Sequence, residues 1–320
     1  MTSEKVLLTG ASGFIAAHIL QQLLDQGYHV RGTVRSEDKA ELLRKKFAND
    51  KLEVVAVGEL TKEGVFDDVV KGVDIIIHTA SPVTLSDSDD PYKDVVNPAV
   101  QGTLSVFTAV QKDSQFRVRR IVVTSSFAAI WHTAPKGYVY KDDDWNEESQ
   151  PGQSTLHTYR ASKTRAERAA WDFLKTHNPA YTLSVIHPVF VLGPPIQPLP
   201  SGLQSLNHSS HTHYSHLQNP TLATSNPETR AYVDVRDVAL AHIRAFQRDE
   251  AQGKRFLTAA GVFKWKEGLD GEQRDGEEYE FGIDNGRVKT VLGVEFRSLK
   301  ETVEDSKRAY EALEKDYGSQ

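Results

Sequence analysis

KVLLTGASGFIAAHILQQLLD, residues 5–25, decides the fold. The run from Lys5 to Thr9 is apolar and stops at Gly10; apolar positions then recur at helical spacing at Phe14, Ile15, Ile19, Leu20, Leu23 and Leu24. Strand, glycine turn and helix follow one another without a spacer. Working outward, buried strands are predicted at YHVRGTV (28–34), LEVVAV (52–57), VDIIIHT (73–79), RIVVTS (120–125) and TLSVIH (182–187), with helical patterns between them. Their continuous apolar character is that of parallel strands covered on both faces. Such alternation predicts an α/β protein built on a doubly wound parallel sheet.

The turn itself carries chemistry. TGASGFIA places Gly10, Gly13 and Ala16 between strand and helix, so backbone can approach a pyrophosphate while amides at the helix N-terminus face it. The second strand then ends at Val34 and Arg35, where an acidic side chain would bind the ribose 2′-hydroxyl of NAD. Arg35, with Lys39 one helical turn on, instead offers two cations to the 2′-phosphate of NADP; charge-assisted contacts of this kind contribute roughly 1.5 to 3 kcal/mol each. Glu37 and Asp38 beside them leave open the reading of two solvated surface cations.

Tyr159 and Lys163 stand four apart in TYRASKTRAERAAWDFL, so a helix projects both from one face about 5 to 6 Å apart. The ammonium favours the phenolate, and Tyr159 is then a candidate proton donor to a carbonyl oxygen. With 11 tyrosines in the chain the spacing alone proves nothing. Its order does more: it follows a strand ending in Ser125 and Ser126, itself downstream of the glycine turn, at the strand ends where open α/β sheets bind ligands. Ser126 could hydrogen-bond a developing oxyanion. The alternative for both serines is bonding to local backbone.

These residues resemble the extended short-chain dehydrogenase/reductase family and, within it, the fungal NADPH-dependent aldehyde, ketone and methylglyoxal reductases, related to plant dihydroflavonol reductases. The resemblance is carried by TGASGFIA, VRGTVRSEDKA, HTASP (78–82), NPAVQGT (97–103), TSSFAA, YRASK, HPVFVLGP (187–194) and YVDVRDVALAH (232–242). It implies a Rossmann fold and a catalytic set of Ser126, Tyr159 and Lys163, with Lys163 also binding ribose. It implies a cofactor set of Gly10, Ser12, Gly13, Phe14, Ile15, Arg35, Lys39, Glu59 and Leu60 beside the adenosine half. Thr79, Ala80, Ser81, Pro188 and Val189 would lie on the nicotinamide side. Two departures stand out: Glu59 where Asp is usual, and His187 where Asn is usual. His187 reads as a variant strand end, hydrogen-bonded and structural rather than a new acid.

The organisation expected is a dinucleotide-binding domain over 1–190, to which 231–248 returns, with a smaller C-terminal substrate-binding lobe and lid over 191–230 and 249–320. Residues 194–228, rich in Pro, Ser, His and Asn with weak periodicity, read as a mobile lid. The stretch 253–290 is charge-rich and lacks the apolar helix that the resemblance implies there, which would leave a pocket open. A last helix is predicted over 298–314, and Asp234 or Asp237 caps the one following YVDV. His208, His211, His213 and His216 suggest a metal by spacing alone; without carboxylates arranged around them no metal is expected. Val83, Phe127, Trp131 and Phe190 are the candidate pocket wall, an apolar set suited to aryl or alkyl carbonyls.

Composition bounds the alternatives. A net charge of −6, spread along the chain, offers no basic footprint for nucleic acid or anionic membrane. No apolar run reaches the ~18 residues of a membrane span, and the strand at residue 5 leaves no room for a signal peptide, so a cytoplasmic monomer or homodimer is expected. Cysteine is absent, which removes thiolate catalysis and disulfides. The expected function is NADPH-dependent reduction of a small-molecule carbonyl; a sugar-nucleotide epimerase or dehydratase and an NADP-sensing regulator are the alternatives.

Overall fold

The computed structural model describes residues 4–81, 88–115, 117–226, 228–273 and 277–317. In chain order its strands are β1 (Lys5–Thr9), β2 (His29–Val34), β3 (Leu52–Ala56), β4 (Ile75–His78), β5 (Arg120–Thr124), β6 (Tyr138–Tyr140), β7 (Thr182–Pro188), β8 (Phe190–Leu192), β9 (Thr229–Asp234), β10 (Arg255–Thr258), β11 (Gly261–Lys264) and β12 (Phe281–Ile283). The α-helices are α1 (Phe14–Asp25), α2 (Glu37–Lys46), α3 (Asn97–Lys112), α4 (Thr155–His177), α5 (His208–Gln218), α6 (Pro220–Thr224), α7 (Val235–Gln247) and α8 (Leu299–Tyr317). Seven strands form one sheet in the order β10-β7-β5-β4-β1-β2-β3, every pair parallel. The doubly wound architecture expected from the sequence is the one observed.

Strand periodicity builds the two faces of that sheet. Val6, Leu8, Ile75 and Ile77 point to one side, where they pack with Ile19, Leu20 and Leu23 of α1 and Ala239 and Ile243 of α7. Leu7, Ile76, Ile121 and Val123 point to the other, against Val106, Phe107 and Val110 of α3 and Ala170 of α4. Both faces are covered, which is why these runs read as continuously apolar.

Helix ends follow local chemistry. Ser154 caps α4 by accepting from the His157 amide (3.2 Å), and Asn178 closes it in the left-handed conformation with φ 42°. Asp234, one of the two caps proposed, accepts from the Arg236 amide (2.8 Å) at the start of α7. Acidic Glu37 and Asp38 begin α2 and basic Arg44, Lys45 and Lys46 end it, as the helix dipole favours.

The second half holds more regular structure than its weak periodicity predicts. Residues 208–218 and 220–224, inside the stretch read as a lid, are helical. Within 231–248, α7 packs on the main sheet, while β9 pairs with β8 and β11 in a separate three-stranded sheet. The 253–290 stretch supplies β10, which extends the main sheet beside β7, together with β11 and β12, and β12 pairs with β6. Its short runs RFLT, GVFK and FGI fall below the length at which periodicity registers.

Candidate active site

The first loop at the carboxyl edge of the sheet is the glycine turn. Gly10 has φ 68°, and a Cβ there would stand 3.1 Å from the Ala80 backbone, so the turn after β1 and the loop after β4 close on each other only through glycine. A Cβ on Gly13 would meet the Gly10 carbonyl at 3.2 Å. Gly13 is the N-cap of α1 and no side chain caps that helix, so its first amides remain available to an anion. Of the other turn residues, Ser12 and Ile15 are half-buried, while the Phe14 ring turns into the core against His18 and can offer only its amide. Thr9 ties the two loops together: its Oγ1 accepts from the Ala80 amide (3.1 Å) and contacts His78 Nδ1 (2.9 Å), and Thr79 Oγ1 donates to its carbonyl (2.5 Å).

Arg35 and Lys39 lie exposed at the end of β2 and on the first turn of α2. Glu37, one of their two acidic neighbours, pairs with Arg44 at 2.6 Å. Neither Arg35 nor Lys39 is held by an ion pair among the described residues. The residues present therefore fit a dinucleotide with a 2′-phosphate: a glycine cradle, an uncapped helix N-terminus and two unpaired cations. Exposed Glu59 and half-buried Leu60 follow β3 on the same edge, with Leu60 packed on the core below.

Ser126, Tyr159 and Lys163 meet at the middle of that edge. Ser126 begins a single helical turn after β5, and its Oγ accepts from the Ala128 amide (3.1 Å). The Tyr159 hydroxyl donates to Ser126 Oγ over 3.5 Å, a long contact of the kind that tightens when substrate enters. Lys163 Nζ lies 5.8 Å from the Tyr159 ring centre and donates to Ser81 Oγ at 3.0 Å. Burial pushes the Tyr159 phenol up, only partly offset by its bond to Ser126, so the protein alone does not favour the phenolate. Burial likewise lowers the Lys163 ammonium to about 8.

Ser125 takes a different path from its neighbour. Its Oγ donates to Glu167 Oε2 at 2.7 Å, on the buried side of the strand end. Glu167, one turn beyond Lys163 on α4, is fully buried and also accepts from His187 Nε2 (2.6 Å), Arg255 Nε (2.7 Å) and Trp171 Nε1 (3.3 Å). His187, read as hydrogen-bonded structure, is bonded in this way. Glu167 and Arg255 were not anticipated: a glutamate in mid-helix reads as a solvated charge, and only its spacing of four from Lys163 and eight from Tyr159 marks it as sharing their face.

Of the candidate pocket wall, Phe127 packs against Tyr140 and Phe281, whose ring centres lie 5.2 and 6.1 Å away. Trp131 carries the Arg160 guanidinium 3.5 Å over its ring. Phe190 instead faces Trp265 (5.3 Å) within the smaller lobe. Val83 lies outside the described residues. Val189 touches both the cluster of Phe127, Tyr140 and Phe281 and the one around Phe14, and Pro188 ends β7 below it. Tyr140 and Phe281 escaped the sequence reading because each sits in a three-residue strand. The histidines of α5 do not converge: His213 is buried on the Gly268 carbonyl (3.1 Å) and His216 stacks on Trp265 at 4.0 Å. No group of three or more metal-ligating side chains is found among the described residues, and none of their helices is long and apolar enough to cross a membrane.

Residues 6–259 match the pattern of the NAD dependent epimerase/dehydratase family. A ketoreductase of Aspergillus niger is 36% identical over 95% of this chain and 96% of its own. The NADPH-dependent methylglyoxal reductase of Saccharomyces cerevisiae is 32% identical over 94% of this chain and 96% of its own. The crystal structure of the yeast methylglyoxal/isovaleraldehyde reductase complexed with NADPH superposes with a TM-score of 0.85 at 32% identity, covering 97% of this chain and 99% of that one. With the glycine turn, the Ser-Tyr-Lys arrangement and the sheet order in place, the chain belongs to the NAD dependent epimerase/dehydratase family, that is, to the extended short-chain dehydrogenase/reductases.

Proposed function

We propose that this protein is an NADPH-dependent reductase that converts an aldehyde or ketone to the alcohol, with Tyr159 as proton donor. The observation that carries the reading is the meeting of Ser126, Tyr159 and Lys163 beside the glycine cradle, with Lys163 bridging to Ser81 on the loop that closes on Gly10. NADPH, when bound, supplies hydride to the carbonyl carbon. Ser126 Oγ and the Tyr159 hydroxyl hold the carbonyl oxygen between them, and the phenolic proton passes to that oxygen as negative charge develops on it. A phenol pushed up by burial keeps its proton at neutral pH, which suits a donor in the reductive direction. Lys163, charged below about 8, steadies the phenolate that remains and offers its ammonium to the ribose. Arg35 and Lys39 select the phosphorylated cofactor. Phe127, Tyr140 and Phe281 form an aromatic cluster next to Ser126, fit for an apolar carbonyl substituent.

Named relatives support the same chemistry, since those with printed activities are ketoreductases, methylglyoxal reductases and an aldehyde reductase. Sugar-nucleotide epimerisation and cofactor sensing gain no comparable support, because Arg35 stands where an epimerase would place an acid and a sensor has no use for Tyr159 and Lys163. The test is NADPH oxidation against aryl ketones, α-keto esters and methylglyoxal. Tyr159→Phe is expected to lower kcat by about 10²- to 10⁴-fold while NADPH still binds. Tight NADPH binding with no turnover in the parent protein would transfer the reading to a sensor.

A further inference from the structure

We propose that Glu167 and Ser125 are positioning residues that set the separation of Ser126 and Tyr159, a role that rests on the reading of those two as the reacting pair. Ser126 stands on the end of a strand and Tyr159 on a helix, so nothing in the covalent chain fixes their distance. Glu167 supplies the tie. It shares a face of α4 with Tyr159 and Lys163, and its carboxylate, wholly removed from solvent, collects donors from three strands of the main sheet. Ser125 Oγ reaches it from the end of β5 (2.7 Å), His187 Nε2 from β7 (2.6 Å) and Arg255 Nε from β10 (2.7 Å).

Two of the spokes are themselves held. The Ser125 amide donates to the Ile186 carbonyl (2.8 Å), which anchors the strand end to β7. Arg255 donates to the carbonyls of Asp142 (2.8 Å) and Asp144 (2.6 Å) and lies 3.7 Å over the Trp145 ring. The Glu167 carboxylate can only accept, so His187 Nε2 donates in their 2.6 Å contact; Arg255 Nη2 lies 3.2 Å from the same nitrogen, and His187 Nδ1 has no partner among the described residues. A buried carboxylate so fully satisfied holds one geometry, because any shift of α4 along the strands breaks charge-assisted bonds in a medium that cannot replace them. Ser125 is joined by one peptide bond to Ser126. Its hydroxyl therefore transmits the position of the helix to the serine whose Oγ faces the Tyr159 hydroxyl.

The experiment compares Ser125→Ala, Ser125→Thr and Glu167→Gln with Tyr159→Phe, using methylglyoxal and an aryl ketone as carbonyl probes. Thermal melting and NADPH fluorescence accompany turnover, and a carbon-labelled tyrosine spectrum reports Tyr159 directly, its Cζ resonance being the one lost in Tyr159→Phe. Ser125→Ala is expected to lower kcat about 10-fold, with KM for NADPH changed by no more than about twofold, because misplacement acts on the reacting geometry and not on cofactor binding. The Tyr159 resonance should shift in Ser125→Ala and return in Ser125→Thr, which restores the hydroxyl. Glu167→Gln is expected to lower kcat further; should it fail to fold, the serine pair still decides. An unmoved Tyr159 resonance together with parental kcat in Ser125→Ala overturns the tie. Turnover that survives in Tyr159→Phe would instead sink the reading of the reacting pair, while the resonance continues to report whether the tie exists.

Discussion

The main sheet and the smaller lobe are built by different means. In the sheet, apolar runs such as VDIIIHT and RIVVTS fix strand, face and neighbour at once, and the two faces divide between α1 with α7 and α3 with α4. In the smaller lobe, polar side chains perform much of the same task. His216 stacks on Trp265, His213 bonds to the Gly268 carbonyl, and Arg236 joins Asp234 to Asp305 across 2.7 and 2.5 Å. Glu267, wholly buried, accepts from the Tyr279 hydroxyl at 2.9 Å. Apolar patterning thus yields a scaffold that tolerates change on its rim, whereas the lobe depends on particular pairs.

Trp265 offers the strongest way to break this contrast. It is 1% exposed and touches Phe190, Phe263 and His216, so it joins β8, β11 and α5. Trp265→Ala is expected to cost about 3–5 kcal/mol, seen as an early loss of near-ultraviolet dichroism on heating. NADPH binding measured below that transition should persist, because the glycine turn rests on the main sheet. Cofactor binding lost in parallel would mean that the two regions stand or fall together.

The same contrast explains which features were legible. The strands of the first half, the glycine turn and the order of Ser126, Tyr159 and Lys163 could be read because each couples a residue type to a position along a periodic pattern. HSSHTHYSHLQ shows no such pattern; α5 forms because His213, His216 and Tyr214 find partners far away in sequence, Tyr214 donating to Glu314 at 2.6 Å. The charge-rich 253–290 stretch was hard to read for a related reason. Glu277 pairs with Lys264 at 2.9 Å and also with Lys266, so ion pairs join this stretch to itself where apolar spacing is absent. Phe190 could be assigned to a pocket wall from its place after HPV, but only the three-dimensional position of Trp265 decides which way it faces. Glu167 was invisible because a single buried carboxylate needs four donors that the sequence scatters over 125, 171, 187 and 255.

Arg35 and Lys39 sharpen the contrast from the side of the sheet. Both are exposed and without ion-pair partners, so their removal should leave thermal stability unchanged. Arg35→Ala with Lys39→Ala is expected to raise KM for NADPH by about 10- to 100-fold, with NADH little affected, if the pair binds the 2′-phosphate as proposed. Equal losses with both cofactors would assign the pair to general electrostatic attraction and remove the basis for cofactor choice at this rim.

The smallest expected effect separates the two regions by acid. Burial lowers His18, His78 and His242 of the main body, and His213 of the smaller lobe, to about 4 from the ordinary 6.5. The unfolded chain therefore binds more protons than the folded one between those values, and stability is lost as pH falls from 6.5 towards 4. His213→Gln keeps a donor for the Gly268 carbonyl and deletes one of these sites, so it should flatten the loss by roughly 1–2 kcal/mol. Urea unfolding at pH 7 and pH 5 measures the slope. A slope unchanged by His213→Gln would mean that the acid sensitivity is carried by the histidines under the sheet, and that the polar pairs of the smaller lobe hold to lower pH than their burial implies.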